Sequence, residues 1–263
     1  KPFELYLEEN VYKGTIEVPH GVYDLLVMNE SVHDVYWTDA VRFLHIDDFT
    51  NISAEVCDAN PNQYDFYKPA PTEAFMTDIP KMASWSIQNY TVARQSAHDT
   101  LRVPMQKLTH ACRILATVKN LKSATLMRGA KRGFAKRVYL SSRITHLAPA
   151  TLFFVFNGRK PQPGSATDGT TEYSFRTFGA LPVTAAYTLG VDVILADGRR
   201  YVPGNASELE FEVTRHVSDY YASMGITRAS ADRIEIPISL SLPHVEGDIG
   251  VGDWGNDDTI IIE

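Results

Sequence analysis

Apolar and polar residues alternate in short runs along most of this chain. The alternation is clear at 233–242 and visible at 112–118, where Arg113 and Thr117 interrupt apolar residues, and turn-forming residues separate the runs. A period of two places alternate side chains on opposite faces of a strand, one facing a core and the other facing solvent. No convincing amphipathic helix separates successive runs, which makes a parallel βαβ arrangement a poor fit. We therefore predict an all-β fold.

The same runs predict individual strands and turns. Strands at 11–18 and 22–28 are predicted to form a hairpin through Pro19-His20-Gly21, and Ala196-Asp197-Gly198-Arg199 predicts a hairpin with a type I′ turn. Residues 58–84 and 158–170 predict loops. Residues 121–136 leave two interpretations open, a helix or an irregular crossover. Other strands are predicted at 35–37, 42–46, 52–56, 101–103, 112–118, 137–140, 151–157, 172–177, 187–195, 200–202, 209–213 and 233–242.

Chain length and charge distribution indicate two tandem sandwich domains. A chain of 263 residues is too long for one ordinary sandwich of about 100 residues and fits two. Residues 1–103 carry 16 acidic against 7 basic side chains, a net charge of −9, whereas residues 104–263 carry 16 against 18, a net charge of +2. We place the domains at 1–103 and 104–263. The acidic first half predicts no nucleic-acid partner, because phosphate binding needs a surplus of Lys and Arg.

The sequence offers no convincing catalytic or metal-binding motif. Nucleophile-elbow, zinc-protease, phosphate-loop and dinucleotide patterns are missing, and the eight histidines are scattered singly. His45 and Asp47 form an incomplete pair that, with Asp48, is typical of a turn. The acidic stretch 248–258 lacks the spacing of a calcium loop. We predict no enzymatic activity, no cofactor and no metal ion, with a hydrolase whose site is dispersed as the remaining enzymatic alternative.

The cysteines and the cationic residues each leave two interpretations. Cys57 and Cys112 either form one disulfide bridge or remain two buried thiols. A basic group is interpreted as a solvated loop, with contact to acidic glycans or to an acidic neighbouring domain as the alternative. This group consists of Arg128, Lys131, Arg132, Lys136, Arg137 and Arg143.

The ends and the hydropathy of the chain bear on its location. The sequence opens at Lys1 without an initiator Met, so we expect a targeting segment upstream. No window reaches the roughly 18 consecutive apolar residues of a membrane-spanning helix.

Several short motifs occur in the order found in a known family. Residues 14–29 contain a strand, a Pro-x-Gly turn, Tyr-Asp-Leu and Asn, and further matching motifs lie at 133–140, 177–180, 189–193, 197–199, 213–214 and 250–254. This series resembles the Bacteroidetes fimbrillin-associated anchor lipoproteins. The resemblance implies two tandem transthyretin-like β-sandwich domains, a lipidated N-terminal Cys upstream of Lys1, and a location at the outer membrane and cell surface. It also implies a role as anchor or accessory subunit of a fimbrium, with fimbrial subunits as partners.

Assembly by β-strand addition is the predicted mechanism, because an exposed sheet edge can pair with a strand of another chain. The tail segment Thr259, Ile260, Ile261 and Ile262 is a candidate exchange strand, and its alternative role is to complete its own domain. A rival function is a surface carbohydrate-binding module, in which Trp37, Trp85 or Trp254 would stack on sugars.

Overall fold

The computed structural model describes residue 5 and residues 13–29, 40–58, 74–94, 100–179, 189–202 and 233–245. Within these residues the regular structure consists of β-strands and one short 3₁₀ helix at Leu121–Ser123. The all-β prediction is therefore confirmed. The predicted strands at 35–37 and 209–213 lie outside the described residues.

The strands are numbered in chain order. They are β1 Gly21–Met28, β2 Val41–Leu44, β3 Ser53–Val56, β4 Ala74–Met76, β5 Ala83–Val92, β6 Gln106–Lys107, β7 His110–Lys119, β8 Ala124–Ala135, β9 Arg137–Tyr139, β10 Pro149–Val155, β11 Asn157–Pro161, β12 Gly169–Thr177, β13 Leu189–Leu195, β14 Arg200–Tyr201 and β15 Arg233–Ser241.

Two larger sheets form a sandwich. A five-stranded sheet has the order β14-β13-β8-β10-β4, and a four-stranded sheet has the order β11-β12-β7-β15. Aromatic rings join them across the core: Phe134 of β8 meets Phe175 of β12 edge-on at 5.2 Å, and Phe154 of β10 stacks on Tyr173 of β12 at 4.9 Å. Interdigitation of the inner faces in this way is the packing that defines a β-sandwich.

Two smaller sheets, β1-β5-β6 and β2-β3-β9, adjoin each other beside this sandwich. The Ser84 hydroxyl of β5 donates to the Leu140 carbonyl at 2.8 Å, and the Ser86 hydroxyl donates to the Ser141 carbonyl at 2.6 Å. Leu26 and Met28 of β1 pack against the main hydrophobic core. Both smaller sheets therefore extend the sandwich core.

Three of the four described sheets pair a strand that precedes residue 103 with a strand that follows it. Strand β4 pairs in parallel with β10, β3 pairs antiparallel with β9, and β5 pairs antiparallel with β6. The division into domains at 1–103 and 104–263 stays a prediction.

Strand β10 is buried on both of its faces. Leu152 and Phe154 belong to the sandwich core, whereas Phe153 points the other way, where it stacks on Phe75 of β4 at 4.8 Å. All of these side chains are buried. Burial of both faces explains why this strand is a continuous apolar run and shows no alternation.

Both interpretations of residues 121–136 were wrong, because β8 is a twelve-residue strand at the centre of the five-stranded sheet. Charged residues hide its alternation. Lys131 is fully buried: its ammonium donates to the carbonyl of Arg132 and lies 5.4 Å from the ring centre of Phe134. A fully buried lysine is rare.

The first predicted hairpin was wrong. Residues 13–19 form no strand, and β1 pairs instead with β5 along seven residue pairs. The Tyr23 hydroxyl donates to the Pro19 carbonyl at 2.7 Å, which ties the preceding segment to β1 without a ladder. Pairing with the ten-residue strand β5, which is distant in the sequence, is thus favoured over the hairpin that the adjacent turn residues predicted.

Two predicted loops contain strands, and one predicted strand is irregular. The region 58–84 contains β4 and the start of β5, the region 158–170 contains most of β11, and 101–103 is not a strand. Edge strand β11 pairs with β12 through an irregular register, and Gly158 in it has φ +61°. Such short edge strands have little alternation to reveal them.

The second predicted hairpin is confirmed, but its turn type was wrong. Strands β13 and β14 pair antiparallel, and the Leu195 carbonyl accepts from the Gly198 amide at 2.9 Å. Gly198 has φ +80°, whereas Asp197 has no positive φ. A type I′ turn needs two positive φ values, so this is a type I turn followed by a left-handed glycine, which forms a bulge.

Candidate interaction surfaces

Among the strands that the structure describes, β15 is the longest at an edge of the sandwich. It pairs in parallel with β7 from Arg233 opposite Ala111 to Ser241 opposite Lys119. Ile236, Ile238 and Leu240 are buried in the core, and the residues between them are exposed. An edge strand thus supplies a full row of core side chains.

The end of β15 is fixed to the neighbouring turn. The Asn120 side-chain amide donates to the Leu242 carbonyl at 2.8 Å, and the Leu242 amide donates to the Lys119 carbonyl at 3.1 Å. Asn120 itself has φ +57°, a conformation that asparagine tolerates.

A proline lies in the middle of β15. Because Pro237 has no amide N–H, it removes one main-chain donor from this edge strand, which makes the edge less able to pair with a strand of another chain.

A charged ladder crosses the solvent face of the four-stranded sheet. Arg113 of β7 forms ion pairs with Glu172 of β12 and with Glu235 of β15, the second at 3.5 Å. These side chains are partly exposed. Pairs of this kind add little stability, although they keep the face polar.

A buried carboxylate holds the small sheet β2-β3-β9 together. Glu55 of β3 lies opposite Arg42 of β2 and Arg137 of β9, and only 3% of its side chain is exposed. It accepts from both guanidinium groups, including Arg137 Nε at 2.7 Å, and the Lys136 ammonium lies 3.8 Å away. Burial by itself would raise the pKa of Glu55, but the hydrogen bonds from the two arginines and the charge of Lys136 prevail and hold that pKa below its usual value.

A second buried carboxylate lies on the five-stranded sheet. Asp192 of β13 is fully buried and accepts from Arg128 Nε of β8 at 3.0 Å and from Arg200 of β14. It is paired from both sides, as a buried charge requires.

The basic group predicted from sequence is not a solvated loop. Its members lie on or beside β8 and β9, where Arg128 pairs with Asp192, Lys136 and Arg137 pair with Glu55, and Lys131 is buried. Arg143 lies in the loop after β9 and has φ +59°. From sequence, this group looked like a run of unpaired cations on a loop, because the carboxylates that pair with Arg128 and Arg137 are 64 and 82 residues away in the chain.

The candidate metal or acid–base pair forms a turn, as the sequence predicted. The Asp48 carboxylate accepts from the amides of Thr50 and Asn51, and the Asn51 side-chain amide donates to it at 2.7 Å. These hydrogen bonds hold the pKa of Asp48 below its usual value. In the described part of the chain, no cluster of three or more His, Cys, Asp or Glu side chains could hold a metal ion.

Cys57 and Cys112 are not joined by a disulfide, so the alternative of a bridge was wrong. Cys112 on β7 is fully buried, whereas Cys57 is half-buried. Burial raises the pKa of the Cys112 thiol to about 12, which leaves it protonated and unreactive at neutral pH.

The remaining candidate residues are mostly outside the described residues. This applies to the tail Thr259–Ile262, to the acidic stretch 248–258, and to Trp37 and Trp254. Trp85 lies on β5 and is half-buried. Among the described residues, no helix has the length and apolar character to span a membrane.

Comparison with known proteins gives one family match and several structural likenesses. The family described as "Domain of unknown function (DUF5119)" matches residues 2–155, more than half of the chain. No curated protein matches the sequence.

The structural likenesses are to proteins of low sequence identity. A "putative adhesin" from Bacteroides ovatus has a TM-score of 0.51 and 12% identity, over 88% of this chain and 78% of that protein. A "putative adhesin" from Bacteroides thetaiotaomicron has a TM-score of 0.53 and 12% identity, over 89% of this chain and 75% of that protein. The fimbrial anchor protein Mfa2 from Porphyromonas gingivalis has a TM-score of 0.38 and 10% identity, over 84% and 69%. At these identities the two Bacteroides proteins indicate a shared fold.

Proposed function

The chain belongs to the DUF5119 family, and on that premise we propose that it is an anchor or accessory subunit of a bacterial surface fimbrium. The observation that carries the proposal is the shared fold with two Bacteroides proteins described as adhesins, at TM-scores of 0.51 and 0.53. The ordered motifs that resemble fimbrillin-associated anchors support the same role. The chain acts by binding other proteins and catalyses no reaction.

The subunit joins its partners by β-strand addition. Strand β15 supports this mechanism, because among the described strands it lies at a sheet edge, although Pro237 removes one of its main-chain donors. In strand addition the main-chain hydrogen bonds supply affinity, and alternate side chains entering pockets set specificity. The tail Thr259–Ile262 has the apolar character of a strand that could be exchanged in this way.

The location of the subunit is the cell surface. A lipidated cysteine upstream of Lys1 holds it at the outer membrane, and its two sandwiches are transthyretin-like. The surface location, the lipidated cysteine and the transthyretin-like fold are all implied by the resemblance in sequence. The same resemblance implies fimbrial subunits as the partners.

Purification of the full-length protein from the outer-membrane fraction of the producing cell tests the role. We expect stable high-mass complexes in which mass spectrometry identifies repeated fimbrial subunits. A monomer, or a protein that carries only glycan, would contradict the fimbrial role and favour the carbohydrate-binding alternative.

Deletion of residues 259–263 tests the exchange strand. We expect a variant that remains folded by circular dichroism and no longer recovers fimbrial subunits. A variant that fails to fold would show that the tail completes its own domain, and a folded variant that still recovers the subunits would exclude the tail from the interface.

A further inference from the structure

One asparagine of the sequence is followed directly by a glycine. This is Asn157, which precedes Gly158, and no other asparagine in the sequence has a glycine after it. The main-chain amide nitrogen of a following residue can attack the side-chain carbonyl carbon of an asparagine. Glycine hinders this attack least, because it has no Cβ and the widest choice of backbone conformations. The dipeptide is therefore the position at which this chain is chemically most prone to lose a side-chain amide.

The chain passes from one sheet to the other at this dipeptide. The Phe156 amide still donates to the Met127 carbonyl of the five-stranded sheet at 2.9 Å, whereas Asn157 is the first residue of β11 in the four-stranded sheet. Gly158 has φ +61°, and the register of β11 with β12 is irregular between Asn157 and Lys160. A short edge strand with an irregular ladder opens locally at little cost in free energy.

Solvent reaches both residues of the dipeptide. Asn157 and Gly158 are exposed, and the main-chain carbonyl of Asn157 accepts from the Thr171 hydroxyl at 2.8 Å. This contact holds the main chain of Asn157 and leaves its side chain to rotate. Other asparagines are held by the side chain itself: the Asn51 amide group donates to Asp48 at 2.7 Å, and that of Asn120 donates to a carbonyl at 2.8 Å.

We propose that Asn157 is a site of spontaneous deamidation in the folded chain. The Gly158 amide nitrogen loses its proton and forms a bond to the side-chain carbonyl carbon of Asn157, which closes a five-membered imide ring. The bond from that carbon to the side-chain nitrogen breaks, and ammonia leaves with the proton. Water then opens the imide at either of its two carbonyl groups, which gives aspartate or isoaspartate. The net reaction consumes one water molecule and releases one ammonia, and it needs no enzyme and no oxidant.

The reaction places a new carboxylate on the charged face of the four-stranded sheet. Asn157 pairs directly with Glu172, so the two side chains share a face. Glu172 already forms an ion pair with Arg113, which also pairs with Glu235. A carboxylate at position 157 repels Glu172 across the two strands and competes with it for the same cation. The inference does not depend on the fimbrial role.

Incubation of the folded chain in mildly alkaline buffer made with heavy-oxygen water, followed by peptide mapping, tests the proposal. We expect the peptide that contains residue 157 to gain the mass of deamidation with one heavy oxygen atom. It should also separate on a column into two products, aspartate and isoaspartate. Asn89 is the internal control: it is exposed, has φ +57° and lies at an irregular position of β5, but Tyr90 follows it. Its peptide should stay unmodified while most of Asn157 converts.

Two variants test the chemistry of the dipeptide. Gly158→Ala should slow the reaction several-fold, because a Cβ hinders the attacking nitrogen; that Cβ would lie 3.5 Å from Glu172 Cγ, an ordinary contact. Asn157→Gln should stay intact, since its longer side chain cannot close a five-membered imide, and it keeps Gly158 in place if the alanine variant folds poorly. The proposal is overturned if Asn157 reacts in urea but not in the folded chain, if Asn89 reacts as fast, or if aspartate forms without isoaspartate.

Discussion

Replacement of Glu55 by glutamine tests the buried cluster that joins β3 to its neighbours. The variant keeps the size of the side chain and removes its charge. Arg42 and Arg137 then lose the carboxylate that accepts their hydrogen bonds, and Lys136 loses a counter-charge at 3.8 Å. The result is a set of cations with no anion among them.

The expected loss of stability is about 2–3 kcal/mol. Removal of one partner from a buried ion pair costs about 3–5 kcal/mol, because the other charge stays desolvated. Here the cost is smaller, because 51% of the Arg42 side chain is exposed and water can solvate its guanidinium group. Folded domains have a total stability of about 5–15 kcal/mol, so the loss is large enough to measure.

Urea unfolding at pH 7 measures this loss, and Glu235→Gln is the matched control. Glu235 is 57% exposed and lies 3.5 Å from Arg113, so its replacement should cost less than about 0.5 kcal/mol. If Glu55→Gln costs no more than Glu235→Gln, the cluster does not stabilise the fold as we infer.

The pH dependence provides a second check with a defined sign. The pKa of Glu55 is lower in the folded chain than its usual value of about 4.3, so its contribution is complete above that pH and is lost as pH falls through the folded pKa. The difference between the unmodified chain and Glu55→Gln should therefore shrink below about pH 4. A difference that persists unchanged in acid would refute the assignment of the effect to the Glu55 charge.

The remaining predictions concern thiols and packing. In the folded chain a thiol reagent should modify Cys57 and spare Cys112, which should react only when the chain is denatured; modification of both at equal rates would contradict the burial of Cys112. Because the pKa of Cys112 is raised from 9.0 to about 12, its contribution to stability is complete below pH 9 and is lost as pH rises toward 12, which unfolding at alkaline pH can follow. Gly129→Ala should cost about 1–3 kcal/mol in thermal unfolding, since overpacking of a dense core carries that penalty. Its new Cβ would lie 2.2 Å from the ring of the buried Phe154, whereas Gly21→Ala, with no contact under 3.4 Å, is the near-neutral control.

Strands with one buried face were predictable from sequence. Strands β7, β12 and β15 alternate cleanly, because each has one face in the sandwich core and one face in solvent. The predicted runs at 112–118, 172–177 and 233–242 fall on these strands within a few residues.

Strand β8 could not be predicted, because the interactions that allow its charges come from elsewhere in the chain. Arg128 is neutralised by Asp192, which is 64 residues away, and Lys131 is buried over Phe134. A single sequence does not reveal such pairs, so three cations in twelve residues indicated a surface segment. The pairing of β1 with β5 was missed for a similar reason, since it depends on a distant strand and not on the adjacent turn.

The Glu55 cluster could not be predicted for the same reason, because its members are distant from one another in the sequence. Arg42 and Arg137 are 13 and 82 residues from Glu55, and only the pairing of β2, β3 and β9 brings them together. The one available signal was a glutamate between Ala54 and Val56 in a short apolar strand. Because a buried glutamate is rare without a partner, that position could have indicated an ion pair, although not the identity of the cations.

The proposed strand addition involves two parts of the chain that can fail separately, an edge such as β15 and the tail after it. Loss of fimbrial subunits on deletion of 259–263, in a variant that stays folded, would support exchange of the tail. Recovery of the subunits by the folded deletion variant would leave a sheet edge as the remaining contact, since an edge can pair with a strand of another chain without any exchange.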